Sequence, residues 1–259
     1  MGMSDEEENM EQILSYFNGE LKRINYEGLI GVAAFVDVYN DLMPVQRDRL
    51  MDIVGMRART LMVGGSVLCI GIAYSEHAID SINVVVDGVV DKGKWNVYAR
   101  EYQKINGHLD DISEKIADRF DGIAVTATLG GLVEKVEHVS EYYPLTISHR
   151  VAAENAGLGW RGKNELIVNE RYGCAMRFAS IITGLQLPRG KKVDPKCGSC
   201  RACLEACAIL KNKERLSDFR ENCRRFIKSL ALSDEVCGKC IKSCYRQSIF
   251  KDSFKLRKA

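Results

Sequence analysis

"CGSCRACLEACAI", residues 197–209, packs four cysteines into eleven positions, and "CGKCIKSC", residues 237–244, supplies three more. Cys197, Cys200, Cys203 and Cys207 stand in C-x2-C-x2-C-x3-C order. Cys237, Cys240 and Cys244 follow as C-x2-C-x3-C, and Cys223 stands alone between the runs. Two-residue spacing lets three sulfurs of one turn converge on a single cubane. The fourth opens the next helix and, in two-cluster proteins, crosses to the other cluster. Eight sulfurs match two [4Fe–4S] clusters with none left over. The crossover assigns Cys197, Cys200, Cys203 and Cys244 to the first, and Cys207, Cys223, Cys237 and Cys240 to the second. Structural zinc is the rival reading. Zinc knuckles, however, draw two ligands from each of two pairs and have no use for a third Cys at the same spacing. The proline that commonly follows the last Cys of such a run is replaced by Ala208 and by Tyr245. That proline shapes the chain without ligating, so its loss bears on potential and solvent access more than on occupancy.

The rest of the chain sets the context. Its 259 residues, 46% apolar and 28% charged, suffice for one large domain or two smaller ones. No run approaches the ~20 apolar residues that span a bilayer. The opening "MGMSDEEENM" is the opposite of a signal peptide's basic, then apolar, start. A cytoplasmic protein is expected, and there clustered cysteines bind metal or do redox work rather than form structural disulfides. Charge is uneven: 19 Lys or Arg face 8 Asp or Glu from residue 186 onward, against 18 and 27 before it. A basic end suits anionic partners, and it equally suits the negative charge of thiolate-ligated clusters.

Periodicity predicts an amphipathic helix over 5–25, a buried strand over 28–38 and a helix over 50–62. A second buried strand follows over 66–74, with Cys69 as core filler. Tyr98, Tyr102, Ile105, Leu109, Ile112, Ile116 and Phe120 trace a long helix over 97–120. A strand over 122–129 and a helix over 148–157 with Ser148 as its cap come next. The Gly-rich turn "GLGWRGKN" stops that helix, and two more strands follow, "ELIVN" and "FASIITGLQL". Alternation up to residue 187 argues for a layered α/β domain. "PRGKKVDP" (188–195) marks a boundary, dividing a domain of residues 1–187 from a cysteine domain of residues 188–259.

"AENAGLGWRGKNELIV" (153–168), "FASIITGLQL" and the eight-cysteine tail together resemble the epoxyqueuosine reductases, relatives of the cobalamin-dependent reductive dehalogenases. "SVLCIGIAY" and "YAREYQK" resemble earlier family segments in the same order, so the likeness runs from about residue 28 to 246. It implies an α+β layered domain with a flavin-reductase/nitroreductase-like core, followed by a ferredoxin-like double [4Fe–4S] domain. It also implies cobalamin between the two, electrons passing from the second cluster through the first to cobalt, and a donor such as ferredoxin or flavodoxin. Gly157, Gly159 and Gly162 would let backbone approach a flat macrocycle. Trp160 would offer an apolar face, and Lys163 a hydrogen bond to a propionamide or phosphate.

Three departures bear on the substrate. An ungapped count puts Tyr143 where the family has its catalytic Asp, making Tyr143 a candidate proton donor. His149, at the start of the helix leading into the Gly turn, is a second candidate donor. Glu101 and Gln103 replace an acid and a His in the "YAREYQK" segment. The family's long form holds tRNA on a helical-repeat domain after the clusters. Here fifteen residues follow Cys244, a basic stretch able to touch phosphates without reading sequence. The expected function is therefore a two-cluster oxidoreductase acting on a small molecule or modified nucleoside. The rival is a ferredoxin-type electron carrier with no chemistry of its own, and an RNA-binding zinc module is nearly excluded by the Cys spacing.

Overall fold

Helix α1 (Asp5–Ile24) opens on a capping box, in which the Ser4 hydroxyl accepts from the Glu7 backbone N–H and the Glu7 carboxylate accepts from Ser4. It buries Ile13, Phe17 and Leu21, a stripe of four-residue steps. The computed structural model describes residues 4–127 and 136–258. Strand β1 (Gly28–Ala34) is shorter than its apolar run predicts. At Phe35 the chain turns into helix α2 (Phe35–Asp41), held by the Phe35 N–H on the Gly65 carbonyl, and Phe35 and Val38 are buried three residues apart. The single helix predicted over 50–62 is two helices, α3 (Pro44–Val54) and α4 (Ala58–Gly64). Gly55, at φ +50°, ends the first.

Strand β2 (Ser66–Ala73) is buried along its whole length. Helix α5 (Glu76–Ser81) and a hairpin of β3 (Val85–Val86) and β4 (Val89–Val90) lead into helix α6 (Lys92–Arg119). α6 starts earlier than its apolar period predicts because Asp91 caps it, accepting from the Lys94 N–H at 2.9 Å. Strand β5 (Gly122–Val125) follows; the last two positions of the strand predicted there lie outside the described residues. Helix α7 (His149–Asn155) begins after Ser148, whose side chain makes no capping bond. Short strands β6 (Trp160–Arg161) and β7 (Ile167–Val168) pair with each other, and β8 (Met176–Thr183) closes the series.

β1, β2, β8 and β5 form one antiparallel sheet in that order, with Cys69 opposite Gly31 on one side and Ser180 on the other. Helix α7 packs across β1, β2 and β8, while α6 covers β2, β8 and β5. Residues 184–197 contain no helix or strand, yet they are tied down: the Gly190 N–H donates to the Val32 carbonyl and Lys192 pairs with Asp41. Beyond them come helices α8 (Ala202–Glu205), α9 (Ala208–Lys211), α10 (Phe219–Leu230) and α11 (Lys239–Gln247). Val236, Cys244, Tyr245, Phe254 and Leu256 join the same apolar core as the sheet. Among the described residues, no helix is long and apolar enough to cross a membrane.

Candidate metal centre

All ten cysteines are free thiols. Cys197 and Cys200 are joined by a turn in which the Cys200 N–H donates to the Cys197 carbonyl. Cys203 lies in α8, Cys207 caps α9, Cys223 lies in α10, and Cys240 and Cys244 lie in α11. α11 packs on α8, fixed by the Ser243 hydroxyl on the Ala202 carbonyl at 2.7 Å; α9 packs on α10. Gly238, ahead of α11, is at φ +74° with no space for a Cβ, which would meet Ile82 and Tyr98. The Trp95 indole N–H on the Cys237 carbonyl anchors the same loop to α6.

This packing sorts the sulfurs into two neighbourhoods. Burial, and then the charges of Cys244, Cys197 and Cys200, push the Cys203 thiol up to about 11. Burial and Cys207 push Cys223 up to about 11. Cys237 rises to about 12 through burial and the charges of Cys223 and Cys207, against a lowering bond from the Lys239 backbone. Cys240 lies well above the usual range, from burial and then Cys237, Cys223, Cys207 and, least, Cys203. Crowded thiols resist ionising together; a bound cation removes that resistance by supplying the opposite charge. Among the described residues, no three His, Cys, Asp or Glu side chains converge on a single metal ion.

The Gly-rich turn faces this centre, and its residues are engaged by the chain itself. Gly157, at φ +72°, has the Lys191 carbonyl where a Cβ would stand, and Gly159 has the Val168 carbonyl there. A Cβ on Gly162 would meet the Val168 side chain. Trp160 is 1% exposed, and its Nε1–H donates to Cys197 Sγ at 3.4 Å. Lys163 Nζ donates to the Gly198 and Cys200 carbonyls at 2.6 and 3.0 Å. Of the five residues assigned above to cobalamin, Trp160 and Lys163 bond to the first cysteine run, while the three glycines admit close approach of the chain's own residues 168 and 191.

Tyr143 is half-buried in a 3-10 turn (Tyr143–Leu145), with the half-buried Arg150 guanidinium in its field. His149 has both ring nitrogens occupied: Nε2 meets the Thr126 carbonyl at 2.7 Å and Nδ1 meets the Ser180 hydroxyl at 2.9 Å. A carbonyl only accepts, so Nε2 carries the proton and Nδ1 accepts from Ser180. Burial lowers this imidazole to about 4.

Two groups carried no sequence signal. Arg177 lies 4.4 Å over the Tyr102 ring and donates to Asn106 Oδ1 at 3.0 Å, with Tyr74, Tyr98 and Tyr142 in its field. Burial raises Tyr142 to about 12. Cys174, 2% exposed, receives the Asn164 Nδ2–H at 3.3 Å, and its neighbour Cys244 together with burial holds its thiol well above the usual range.

Fold and site together define a mixed helix–strand protein with an antiparallel sheet and a C-terminal segment of short helices and loops that carries eight cysteines. No family model matches the chain. A curated epoxyqueuosine reductase of Lactococcus garvieae is 31% identical over 163 residues, 62% of this chain and 41% of that protein. One from Synechocystis is 40% identical over 70 residues, 26% of this chain and 24% of that protein. The chain thus spans less than half the length of these curated relatives. The structure of epoxyqueuosine reductase from Streptococcus thermophilus has a TM-score of 0.50 and 18% identity, covering 95% of this chain and 67% of that one. A selenomethionine-labelled epoxyqueuosine reductase gives the same TM-score and covers 96% and 68%. The chain is similar in sequence to part of the epoxyqueuosine reductases and similar in fold to their solved structures.

Proposed function

We propose that the chain is an iron–sulfur oxidoreductase of the epoxyqueuosine-reductase type. In this reading Cys197, Cys200, Cys203 and Cys244 hold one [4Fe–4S] cluster, and Cys207, Cys223, Cys237 and Cys240 hold the other. What carries it is the presence of Cys244 beside Cys203, with Cys240, four residues earlier, beside Cys207, Cys223 and Cys237. Bound clusters of this kind supply one-electron transfer. The chain's own part is to hold the ligand loops: Trp95, Lys163 and Ser243 fix backbone carbonyls next to the cysteines, leaving the thiols to the metal. The substrate class is a modified nucleoside, as the relatives' name indicates, with tRNA as its carrier and a ferredoxin or flavodoxin as electron donor. Tyr143, beside Arg150, is the proposed proton donor. Single-turnover reduction unchanged in Tyr143→Phe would remove it from that role.

The residues first assigned to cobalamin also serve the chain itself: a Cβ on Gly157, Gly159 or Gly162 would meet its own backbone or side chains, and Trp160 and Lys163 bond to the first cysteine run. No step is assigned to a corrinoid here. The same observation favours the second reading, a two-cluster electron carrier. Metal and sulfide analysis of protein purified without oxygen tests the common part, with about eight iron and eight sulfide per chain expected. Zinc without iron overturns it. Hydroxocobalamin added to the reconstituted protein separates the two readings: retention of the corrinoid supports a cobalamin reductase, and its loss on desalting supports the carrier.

A further inference from the structure

The hairpin of β3 and β4 holds four exposed valines. Asp87 and Gly88, at φ +51° and +78°, close it as a two-residue turn, so the turn rather than packing sets its shape. Val85 pairs with Val90 and Val86 with Val89, and cross-strand partners share a face. Val85, Val86, Val89 and Val90 are 56%, 43%, 70% and 40% exposed, so neither face is covered.

Both ends of the hairpin are bonded to the chain that carries Cys237 and Cys240. Before β3, the Ile82 carbonyl accepts from Lys242 Nζ at 2.7 Å, and the Ile82 side chain stands against Gly238. After β4, the Trp95 indole N–H donates to the Cys237 carbonyl at 2.8 Å, and Asn96 Oδ1 accepts from the Ser233 N–H at 2.8 Å. The valines therefore rise beside the loop that presents those two sulfurs. Lys92 and Lys94 are exposed just after β4, and half-buried Lys239 lies between the two cysteines. Among the described residues, none of these three lysines makes an ion pair.

An aliphatic patch beside unpaired cations selects among occupants. A second copy of this chain would set lysine against lysine. RNA is held by stacking on aromatic rings as well as by phosphate contacts, and residues 82–94 contain no aromatic side chain. An acidic protein with an apolar spot satisfies both features. Transient electron-transfer contacts are of this kind, small and steered by charge. Resting on the iron–sulfur reading above, we propose that the hairpin, with Lys92, Lys94 and Lys239, is the docking surface for an acidic flavodoxin. The apolar edge of its flavin meets the valines, and its carboxylates meet the lysines.

The test is a calorimetric titration of flavodoxin, loaded with its flavin, into anaerobically reconstituted full-length protein, with iron measured on the same samples. Wild type should bind, and more weakly as salt rises from about 50 to 200 mM. Val85→Ser with Val89→Ser, and separately Lys92→Glu with Lys94→Glu, should each raise Kd about tenfold at unchanged iron content. The lysine pair should also flatten the salt dependence. Glutamate suits the first turn of α6, so that pair reads binding rather than folding. Val63→Ser, at a site 87% exposed on α4, should bind as wild type does. Iron-loaded protein that binds flavodoxin equally well after both pairs of substitutions overturns the docking surface alone. So does a wild type that binds tRNA or a ferredoxin here in place of flavodoxin, or that dimerises through the valines. Wild-type protein that takes up no iron overturns the iron–sulfur reading itself, and this inference with it.

Discussion

Cys240 and Cys244 stand four residues apart on α11, yet their sulfurs belong to different neighbourhoods. A helix brings residues four apart to one face, so α11 lies along the seam between the two groups and presents one sulfur to each. Its packing on α8 brings Cys244 to the first run. Cys240 meets Cys207, Cys223 and Cys237, while Cys203 acts on it least. The cysteine order in the sequence therefore differs from the order in space, and α11 is the element that crosses them.

The Gly-rich turn gives the first prediction. A Cβ at residue 159 would stand 2.3 Å from the Val168 carbonyl oxygen, closer than any real contact. Gly159→Ala should therefore cost about 2–3 kcal/mol as β6 and β7 are forced apart. Thermal unfolding checks it in protein without added corrinoid. An unchanged melting temperature would mean that the glycine is not needed for this close approach.

His149 makes stability depend on pH in a defined window. Its ordinary value is 6.5 and burial lowers the folded-state value to about 4. Above pH 6.5 the imidazole is neutral in both states and adds no pH dependence. Between 6.5 and 4 the unfolded chain binds a proton that the folded one excludes, so stability falls with pH at about 1.4 kcal/mol per unit. His149→Gln, which keeps a donor and an acceptor, should flatten this stretch of a urea-unfolding series taken from pH 7 to 4. A wild-type slope that the substitution leaves intact would assign the titration to another group.

Glu221 and Arg224 form a buried pair, with side chains 6% and 7% exposed and the Arg224 Nε on Glu221 Oε2 at 2.8 Å. The same carboxylate accepts the Val139 N–H at 2.8 Å, and Arg224 donates to the Val136 and Glu137 carbonyls. The pair thus ties residues 136–139 to the helix carrying Cys223. Glu221→Gln strands the Arg224 charge and should cost about 3 kcal/mol. Arg225→Gln should cost only a few tenths, because that guanidinium is 73% exposed. Equal losses in urea unfolding for the two variants would contradict the distinction.

Much of the fold was legible because burial imposes a period. The apolar steps of α1 and α6 and the continuous run of β2 read directly as helix and strand. Phe35 and Val38 did not: a short apolar run fits a strand and a buried helical turn equally, and only the bond to Gly65 decides for the turn. The cysteine runs stand out in the sequence because ligand spacing is a local constraint. The turn glycines signal close approach without saying by what; beside Gly157 and Gly159 stand the chain's own carbonyls. Cys174 has no spacing partner in the sequence, and Arg177 meets tyrosines from three separate segments, so neither leaves a local trace.

The crosswise grouping is tested most directly by counting iron in two double variants purified without oxygen. Cys203→Ser with Cys244→Ser removes two ligands from one set and should leave about four iron per chain, with one resonance signal intact. Cys203→Ser with Cys240→Ser removes one ligand from each set and should abolish both signals. The opposite pattern, with iron retained in the second double variant and lost from the first, would show that Cys240, rather than Cys244, closes the first site.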